Sequence, residues 1–296
     1  METTTVGMIG LGRTGLPLAM NLLARGHRVL GFRRSGCPEL VSAGGTPAAS
    51  PREVAEGARL IVSCLPSAQA LAETMEGEAG LRAGLGPEHV VLEVGSYPLE
   101  VKEAWRRRVS ESGALLIDGE ISGTPAMTAA RQAVLLLAGE EAPCRALLPL
   151  ALEMTDTAFH VGAFGAATRL KLVANHLVAV HTVAAAEALL LAERAGIAPQ
   201  TALAVLQAGA GGSTMLSQRG GAMVARRFGE PAPGPVSMLA GYFDAIAALG
   251  RDAAVPTPLF DAALELYRRA VADGRSQEDI ACVIALLEQQ GKEGRQ

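Results

Sequence analysis

The 296-residue sequence has little charge and no excess of basic side chains. Only 19% of the residues are charged, whereas 49% are hydrophobic, so a large core is easily filled and a disordered chain is excluded. The formal net charge is -4 and no basic run stands out, so we expect no nucleic-acid partner. At this length two domains are the default expectation.

Cysteine is also scarce, and its spacing does not resemble a metal site. We therefore predict no metal and expect free thiols in a cytoplasmic protein, at Cys37, Cys64, Cys144 and Cys282.

The N-terminus lacks a signal-peptide pattern, because Val6 begins a strand-like run. The longest apolar stretch, residues 170–197, superficially resembles a membrane span, but it contains side chains such as Lys171 and Glu187 that are costly in lipid. We expect no membrane partner.

Short apolar runs alternate with helical patterns in the first half of the chain, which predicts a parallel sheet with helices on both faces. The predicted strands are residues 6–9, 28–32, 60–64, 90–94 and 114–117, with two further edge strands at 134–138 and 158–161. From residue 166 the pattern is helical, and it starts with a proline-free segment that reaches about residue 195. The sequence therefore predicts an α/β domain over residues 1–164. An all-helical domain, opened by a long interdomain helix, follows over residues 165–296.

A glycine-rich turn follows the first predicted strand and opens a helix. Glycines at this spacing permit a tight turn, close approach of the backbone to a pyrophosphate, and close packing of helix on strand. The helix N-terminus adds free N–H groups and a positive dipole. We predict a Rossmann-type dinucleotide site made of Gly10, Leu11, Gly12, Arg13, Thr14 and Gly15.

The end of the second predicted strand indicates which dinucleotide binds. An NAD site would place a carboxylate here for the ribose hydroxyls. The chain instead reads Arg33, Arg34 and Ser35, with no carboxylate until Glu39. Guanidinium groups pair with phosphate in a bidentate manner, so this segment favours the 2′-phosphate of NADP(H). The alternative interpretation is an ordinary basic surface turn.

Lys171 and Asn175 are one helical turn apart and therefore share a helix face. The residues around them are small or apolar, a setting in which a lysine is desolvated, its pKa falls, and it can donate a proton to a reacting oxygen. A lysine near the start of a helix can equally be a solvated surface residue.

Taken in order, five motifs resemble those of the β-hydroxyacid dehydrogenases, a group that includes 3-hydroxyisobutyrate dehydrogenase, tartronate semialdehyde reductase and glyoxylate/succinic semialdehyde reductase. The resemblance covers nearly the whole chain. The motifs are the opening segment from Gly10 to His27; Cys64-Leu65-Pro66, similar to a loop along the cofactor; Glu93-Val-Gly-Ser96-Tyr-Pro98, similar to an Asp-x-Ser-Thr-x-x-Pro segment; Asp118-Gly-Glu-Ile-Ser122-Gly123-Thr124, similar to an Asp-x-Pro-Val-Ser-Gly-Gly substrate loop; and Gly165, Lys171 and Asn175 at family spacing.

The resemblance implies roles for these residues. Lys171 would protonate or polarise the substrate carbonyl, and Asn175 would hold the substrate or orient the lysine. Ser122 and the backbone N–H groups of Gly123 and Thr124 would bind a carboxylate. Ser96 would approach the nicotinamide.

The chain departs from the family pattern near its C-terminus. The family usually has a Lys-Asp pair in a helix ahead of a proline like Pro256, and Gly241 and Tyr242 occupy the corresponding positions here. Tyr242 is predicted to line the substrate cleft. The last glycine of the substrate loop is replaced by Thr124, and the second glycine of a glycine pair is replaced by Ala167. These changes affect the expected substrate more than the expected fold.

Three functions are compatible with these observations. The first is an NADP(H)-dependent oxidoreductase that transfers a hydride between nicotinamide and a small β-hydroxyacid or its semialdehyde. The second is an NADPH-dependent imine reductase. Enzymes of this kind resemble the family but have aspartate or tyrosine at the position that corresponds to Lys171. The third is a non-catalytic NADP-binding scaffold.

We also expect a homodimer, because helix 166–195 has more apolar surface than one small helical domain can cover.

Overall fold

The computed structural model describes residues 3–229 and 232–293. The chain forms two compact units, Met1–Lys171 and Leu172–Gln296. The first unit includes residues 166–171, which open the long helix that was predicted to begin the second domain.

An eight-stranded sheet forms the centre of the first unit. Its strands are β1 (Thr5–Ile9), β2 (Arg28–Phe32), β3 (Thr46–Pro47), β4 (Leu60–Ser63), β5 (Val90–Glu93), β6 (Leu115–Ser122), β7 (Val134–Ala138) and β8 (Thr157–His160). They lie in the order β3-β2-β1-β4-β5-β6-β7-β8, and all neighbouring strands are parallel except β6 and β7, which are antiparallel. The predicted sheet is thus confirmed apart from this one pair, and the two predicted edge strands are β7 and β8.

Helices cover both faces of this sheet. Because side chains alternate along a strand, Val62 and Leu92 face one buried core, whereas their neighbours Ile61 and Val91 face the other. The helices of this unit are α1 (Gly15–Ala24), α2 (Pro38–Ser42), α3 (Pro51–Gly57), α4 (Ala68–Met75), α5 (Leu99–Ser110), α6 (Pro125–Ala129) and α7 (Glu141–Met154), with a 3₁₀ helix at Leu81–Gly84. Helices α1, α2 and α7 pack on the first core, and α3, α4 and α5 pack on the second.

Strand β6 is longer than the predicted strand 114–117. It continues to Ser122, because residues 118–122 pair with β7 and so satisfy their backbone hydrogen-bonding groups. The segment that was expected to be a substrate loop is therefore mostly strand. Asp118, Gly119 and Glu120 are poor strand formers, and this pairing partner overrides their local preference. Helix α7 was also missed, since it contains Pro149 in its interior.

The second unit is mainly helical, as predicted. Helix α8 (Ala166–Arg194) begins in the first unit and continues into the second. The core of the second unit includes Phe243, whose ring contacts those of Phe260 and Tyr267. The remaining helices are α9 (Pro199–Ala208), α10 (Thr214–Ala225), α11 (Val236–Ala240), α12 (Phe243–Asp252), α13 (Pro258–Ala272) and α14 (Val283–Glu293), with a 3₁₀ helix at Ile280–Cys282.

Helix α8 has 29 residues and is long and apolar enough to cross a membrane, and 39% of its most apolar 18-residue segment is buried. The core helix of a globular protein passes the same test, so this helix is weak evidence for a membrane span.

Candidate functional site

A cleft of about 790 Å³ lies at the carboxyl ends of β1, β2 and β4, beside the start of α1. Ligands of open α/β sheets bind at this edge. The structure brings eleven of the thirteen predicted cofactor residues together here; Gly15 and Ser96 are the two outside the lining. The predicted residues in the lining are Gly10, Leu11, Gly12, Arg13, Thr14, Arg33, Arg34, Ser35, Cys64, Leu65 and Pro66.

The glycines of the turn have different surroundings. Gly10 has a φ of +84°, and a Cβ atom there would lie 2.2 Å from the carbonyl oxygen of Cys64. A Cβ atom on Gly15 would lie 2.1 Å from the carbonyl oxygen of Gly10. Beside Gly12, by contrast, no heavy atom of the described residues would lie within 4 Å of a Cβ. The space at Gly12 and the positive end of the α1 dipole fit a pyrophosphate.

Both arginines after β2 already have carboxylate partners. Arg33 pairs with Glu39 at 2.9 Å and donates a hydrogen bond to the carbonyl oxygen of Leu11 at 3.1 Å. Arg34 pairs with Glu73 at 2.6 Å, and hydrogen bonds from Arg34 and Gln69 lower the pKa of Glu73. Glu73 lines the cleft but is distant in sequence, and sequence reasoning missed it. A 2′-phosphate would have to share these guanidinium donors with the two glutamates.

Cys64 also lines the cleft. Burial, followed by the charges of Glu93 and Glu120, raises the pKa of this thiol to about 12. The thiolate is the nucleophilic form of cysteine, so Cys64 remains an inert thiol at neutral pH.

Asp118 on β6 holds the start of α8. Its Oδ2 accepts hydrogen bonds from the backbone N–H groups of Gly165 and Thr168, both at 3.1 Å. Its Oδ1 accepts one from the Thr168 hydroxyl at 2.7 Å. A carboxylate at a helix N-terminus satisfies free N–H groups and is favoured by the helix dipole. This anchor determines where the next turn of α8, with Lys171, lies over the strand.

The Lys171 ammonium lies at the end of β6. Its Nζ donates a hydrogen bond to the carbonyl oxygen of Ile121 at 2.7 Å, next to Ser122 in the chain. Burial lowers the pKa of Lys171, and the charge of Glu120 opposes that effect. The structure therefore places the predicted lysine beside the predicted substrate residue Ser122, in a partly desolvated position.

A buried charge cluster lies next to Lys171, and sequence reasoning did not find it. Lys102 on α5 is fully buried, and its Nζ donates to Asp118 Oδ1 at 2.9 Å, to the Gly119 carbonyl oxygen at 2.8 Å and to Glu120 Oε1 at 3.1 Å. Ser96 Oγ donates to Glu120 Oε2 at 2.7 Å. Burial lowers the pKa of Lys102, but the neighbouring carboxylates outweigh burial and raise it. Ser96, predicted to approach the nicotinamide, thus contacts this cluster.

The remaining predicted residues of the first unit lie at the turn after β6. Gly123 has a φ of +151°, and a Cβ there would lie 2.9 Å from the side chain of Ala133. The Thr124 hydroxyl accepts a hydrogen bond from the Met127 N–H at 3.2 Å and so caps α6. The Thr124 side chain therefore has a local structural role, which leaves its backbone N–H as the predicted binding group.

Asn175 and Tyr242 belong to the second unit. Asn175 is buried and lies one turn after Lys171 on α8. Tyr242 precedes α12 and packs, partly buried, against the helical core. Their predicted substrate contacts stay predictions. Among the described residues, no three His, Cys, Asp or Glu side chains are grouped so that they could hold a metal ion.

Two family models together match most of the chain. One, described as the NAD binding domain of 6-phosphogluconate dehydrogenase, matches residues 5–162. The other, described as "NAD-binding of NADP-dependent 3-hydroxyisobutyrate dehydrogenase", matches residues 165–287.

Individual proteins are similar over nearly their full lengths. The L-threonate dehydrogenase of Cupriavidus necator is 28% identical, over 95% of this chain and 95% of that protein. The NAD-dependent L-serine dehydrogenase of Pseudomonas aeruginosa is 28% identical, over 96% and 97%. A crystal structure of 3-hydroxyisobutyrate dehydrogenase from Salmonella typhimurium has a TM-score of 0.82 at 24% identity, over 96% and 99%. An imine reductase structure from Pseudomonas sp. has a TM-score of 0.58 at 21% identity, over 97% and 100%. At these identities the two structures establish the fold alone.

Proposed function

Because the chain belongs to the β-hydroxyacid dehydrogenase family, we propose that it is an NADP(H)-dependent oxidoreductase acting on a small β-hydroxyacid or its semialdehyde. Lys171 is its general acid and base. The observation that carries this proposal is the position of the Lys171 ammonium, hydrogen-bonded at the end of β6 beside Ser122. The nicotinamide, when bound, supplies or accepts the hydride.

Lys171 handles the proton. Reduction of a carbonyl builds negative charge on its oxygen, and a cation fixed in a partly desolvated position stabilises that charge where it develops. Lys171 then gives its proton to the oxygen, and it takes a proton from the hydroxyl in the reverse direction. Burial favours this exchange, because it lowers the pKa of Lys171 towards the working pH.

The other proposed site residues bind the substrate or orient Lys171. Ser122 and the backbone N–H groups of Gly123 and Thr124 bind the substrate carboxylate. Asn175 holds the substrate or orients Lys171 from the same helix, and Tyr242 lines the substrate cleft. These roles are supported by the family resemblance and, for Ser122, by its place next to the Lys171 hydrogen bond.

NADP(H) is proposed over NAD(H) because two guanidinium groups and a hydroxyl follow β2. Arg33, Arg34 and Ser35 all line the dinucleotide cleft. Arginine has five N–H donors, so each can keep its glutamate partner and still donate to a phosphate. One relative is named NAD-dependent, whereas the model that matches residues 165–287 is described as that of an NADP-dependent enzyme.

An imine reductase is the second candidate. It is favoured by one observation, the uncharged Gly241 and Tyr242 at the positions of the family's Lys-Asp pair. The presence of Lys171 and the match of residues 165–287 to a 3-hydroxyisobutyrate dehydrogenase model support the hydroxyacid proposal instead. A non-catalytic NADP-binding scaffold is the third candidate, and Lys171 makes it the weakest.

One assay separates these candidates. Oxidation of NADPH, and of NADH in parallel, is measured with glyoxylate, succinic semialdehyde, tartronate semialdehyde and a cyclic imine. We expect an aldehyde to be reduced with NADPH preferred, and Lys171→Ala to lower kcat/KM by about 10²- to 10⁴-fold, the usual contribution of a general acid.

Lys171→Arg is the matched control, because it keeps the positive charge but does not release a proton at neutral pH. Turnover of the imine alone would overturn the hydroxyacid proposal, and tight NADPH binding without any turnover would favour the scaffold. Recovery of most activity by Lys171→Arg would overturn the role of Lys171 in proton transfer.

We further propose a cytoplasmic homodimer with a small-molecule substrate and no nucleic-acid or membrane partner. The composition and the exposed apolar residues of α8 support this.

A further inference from the structure

We propose that the buried carboxylate of Glu120 is the fixed counter-charge of Lys171, and that it sets the pH range in which Lys171 carries its proton. Glu120 is thus a positioning residue that acts through Lys171. The inference rests on the proposed function for its catalytic meaning, but the pairing of the two charges can be tested without any substrate.

Hydrogen bonds join β6 to α8 at two places. Asp118 binds Thr168, and three residues further along each element, the carbonyl oxygen of Ile121 binds Lys171. Strand and helix therefore run in the same direction over this stretch. Glu120 lies between these two contacts, and its side chain points to the same face of the strand as Asp118, since side chains alternate.

Both oxygens of Glu120 are held by donors. Ser96 Oγ donates to Oε2 at 2.7 Å, and Lys102 Nζ donates to Oε1 at 3.1 Å. Glu120 is only 1% exposed, so water cannot replace these partners. Hydrogen bonds to both oxygens favour the charged form of a carboxyl and fix its position. A fixed charge loses no free energy to reorganisation when the lysine titrates.

The charges around Glu120 do not cancel. Lys102 from α5 is the nearby cation besides Lys171, and it is shared with Asp118. Glu93 on β5 adds a third carboxyl, whose pKa burial raises to about 7. Cys64 and Tyr97 also face the cluster, but burial raises both their pKa values, so the thiol and the phenol stay neutral near pH 7. Lys171 is the further cation whose charge Glu120 favours.

Burial and the charge of Glu120 shift the pKa of Lys171 in opposite directions. Burial favours the neutral amine, and the Glu120 charge favours the ammonium. Burial also raises the pKa of Glu120, and it outweighs the opposing effects of Lys102, Ser96 and Lys171, which favour the charged form. If the charge of Glu120 is removed without changing its shape, the pKa of Lys171 must fall. In the direction of reduction, activity needs the ammonium, so it is present below the Lys171 pKa and lost as the pH rises through it.

Glu120→Gln tests this, because Gln can still accept from Lys102 and donate to Ser96. The protein without cofactor is labelled with acetic anhydride at a series of pH values, and the modification of Lys171 is followed by mass spectrometry. We expect the midpoint for Lys171 to fall by about one to two pH units in Glu120→Gln. The alkaline limb of kcat/KM for aldehyde reduction should shift in the same direction.

Glu93→Gln is the matched control, since it makes the same change to a buried carboxyl of the same cluster on the neighbouring strand. Its midpoint for Lys171 should stay close to that of the wild type. Glu120→Asp, which keeps the charge, should lie between wild type and Glu120→Gln, and it provides the test if Glu120→Gln does not fold. An unmoved midpoint in folded Glu120→Gln, or an equal shift in Glu93→Gln, would overturn the inference.

These results are distinguishable from a failure of the proposed function. If the wild type reduces no aldehyde, the proposed function fails, whereas the labelling midpoints still decide whether Glu120 and Lys171 are paired. If the wild type turns over and needs Lys171, but the midpoints do not differ, the inference alone fails.

Discussion

Gly10, Gly12 and Gly15 belong to one turn, but they are needed for different reasons. A side chain at Gly10 or Gly15 would collide with the backbone of the same unit, so these two residues are required for folding. The space beside Gly12 is open, and nothing in the fold of the described residues requires a glycine there. We infer that Gly12 is required by the ligand, since a phosphate must approach the backbone closely.

Gly12→Ala should therefore fold normally and bind the dinucleotide poorly. We expect its free energy of unfolding to stay within about 0.5 kcal/mol of the wild type. Its Kd for NADPH, measured by fluorescence titration, should rise at least about tenfold, since the methyl group fills the space for the phosphate. Gly10→Ala is the contrasting variant and should lose about 2 kcal/mol or more in urea unfolding, because of its φ of +84° and the clash with Cys64. Unchanged NADPH binding by Gly12→Ala would refute this assignment.

At the scale of elements, the contact between β6 and α8 has the largest consequences for the site. Asp118 accepts three hydrogen bonds from the start of α8 and also pairs with the buried Lys102. One carboxylate thus caps the helix and neutralises a buried ammonium. The longer strand β6 is what brings Asp118, Glu120 and the Ile121 carbonyl into register with the helix.

Asp118→Asn should be strongly destabilising. The amide cannot accept from N–H groups on both of its ends, and Lys102 loses one of its two carboxylate partners. Breaking one side of a buried ion pair costs about 3–5 kcal/mol, and we expect a loss of about 3 kcal/mol in urea unfolding.

The control for this variant is Asp156→Asn, which removes a carboxylate that pairs with Arg131 but is 61% exposed. Exposed pairs contribute about 0–1 kcal/mol, so this change should have little effect. Similar losses in the two variants would contradict the structural role assigned to Asp118.

For the whole molecule, the proposed homodimer can be tested on α8. Val173, Leu177 and Leu191 are exposed, with Leu191 at 72%, and their spacing places them on one face of the helix. We expect the wild type to be a dimer in light scattering, and the double variant Leu177→Asp/Leu191→Asp to be a monomer with unchanged circular dichroism. As a control, Val41→Asp changes an exposed residue of α2 and should remain a dimer. A monomeric wild type would end this proposal.

Much of the fold could be predicted from the sequence, because the signals were local. The glycine turn, the apolar runs and the long proline-free helix each reflect neighbouring residues, and the structure confirms the corresponding elements. The errors also have local causes. Asp118 and Glu120 have low strand propensity, so the second half of β6 was not predicted. Pro149 disfavours a helix, and α7 was not predicted either. In both cases packing against distant residues overrides the local preference.

The sequence by itself determined the dinucleotide-binding turn, the fold class and the candidate lysine, since these depend on spacing along the chain. The tertiary structure alone decided what surrounds them. It paired Arg34 with Glu73, and it enclosed Lys102, Asp118 and Glu120 beside Lys171. The strength of a charge depends on its burial and on the charges within a few ångströms. Lys102, Asp118, Glu120 and Lys171 come from α5, β6 and α8, so they meet only when the chain has folded.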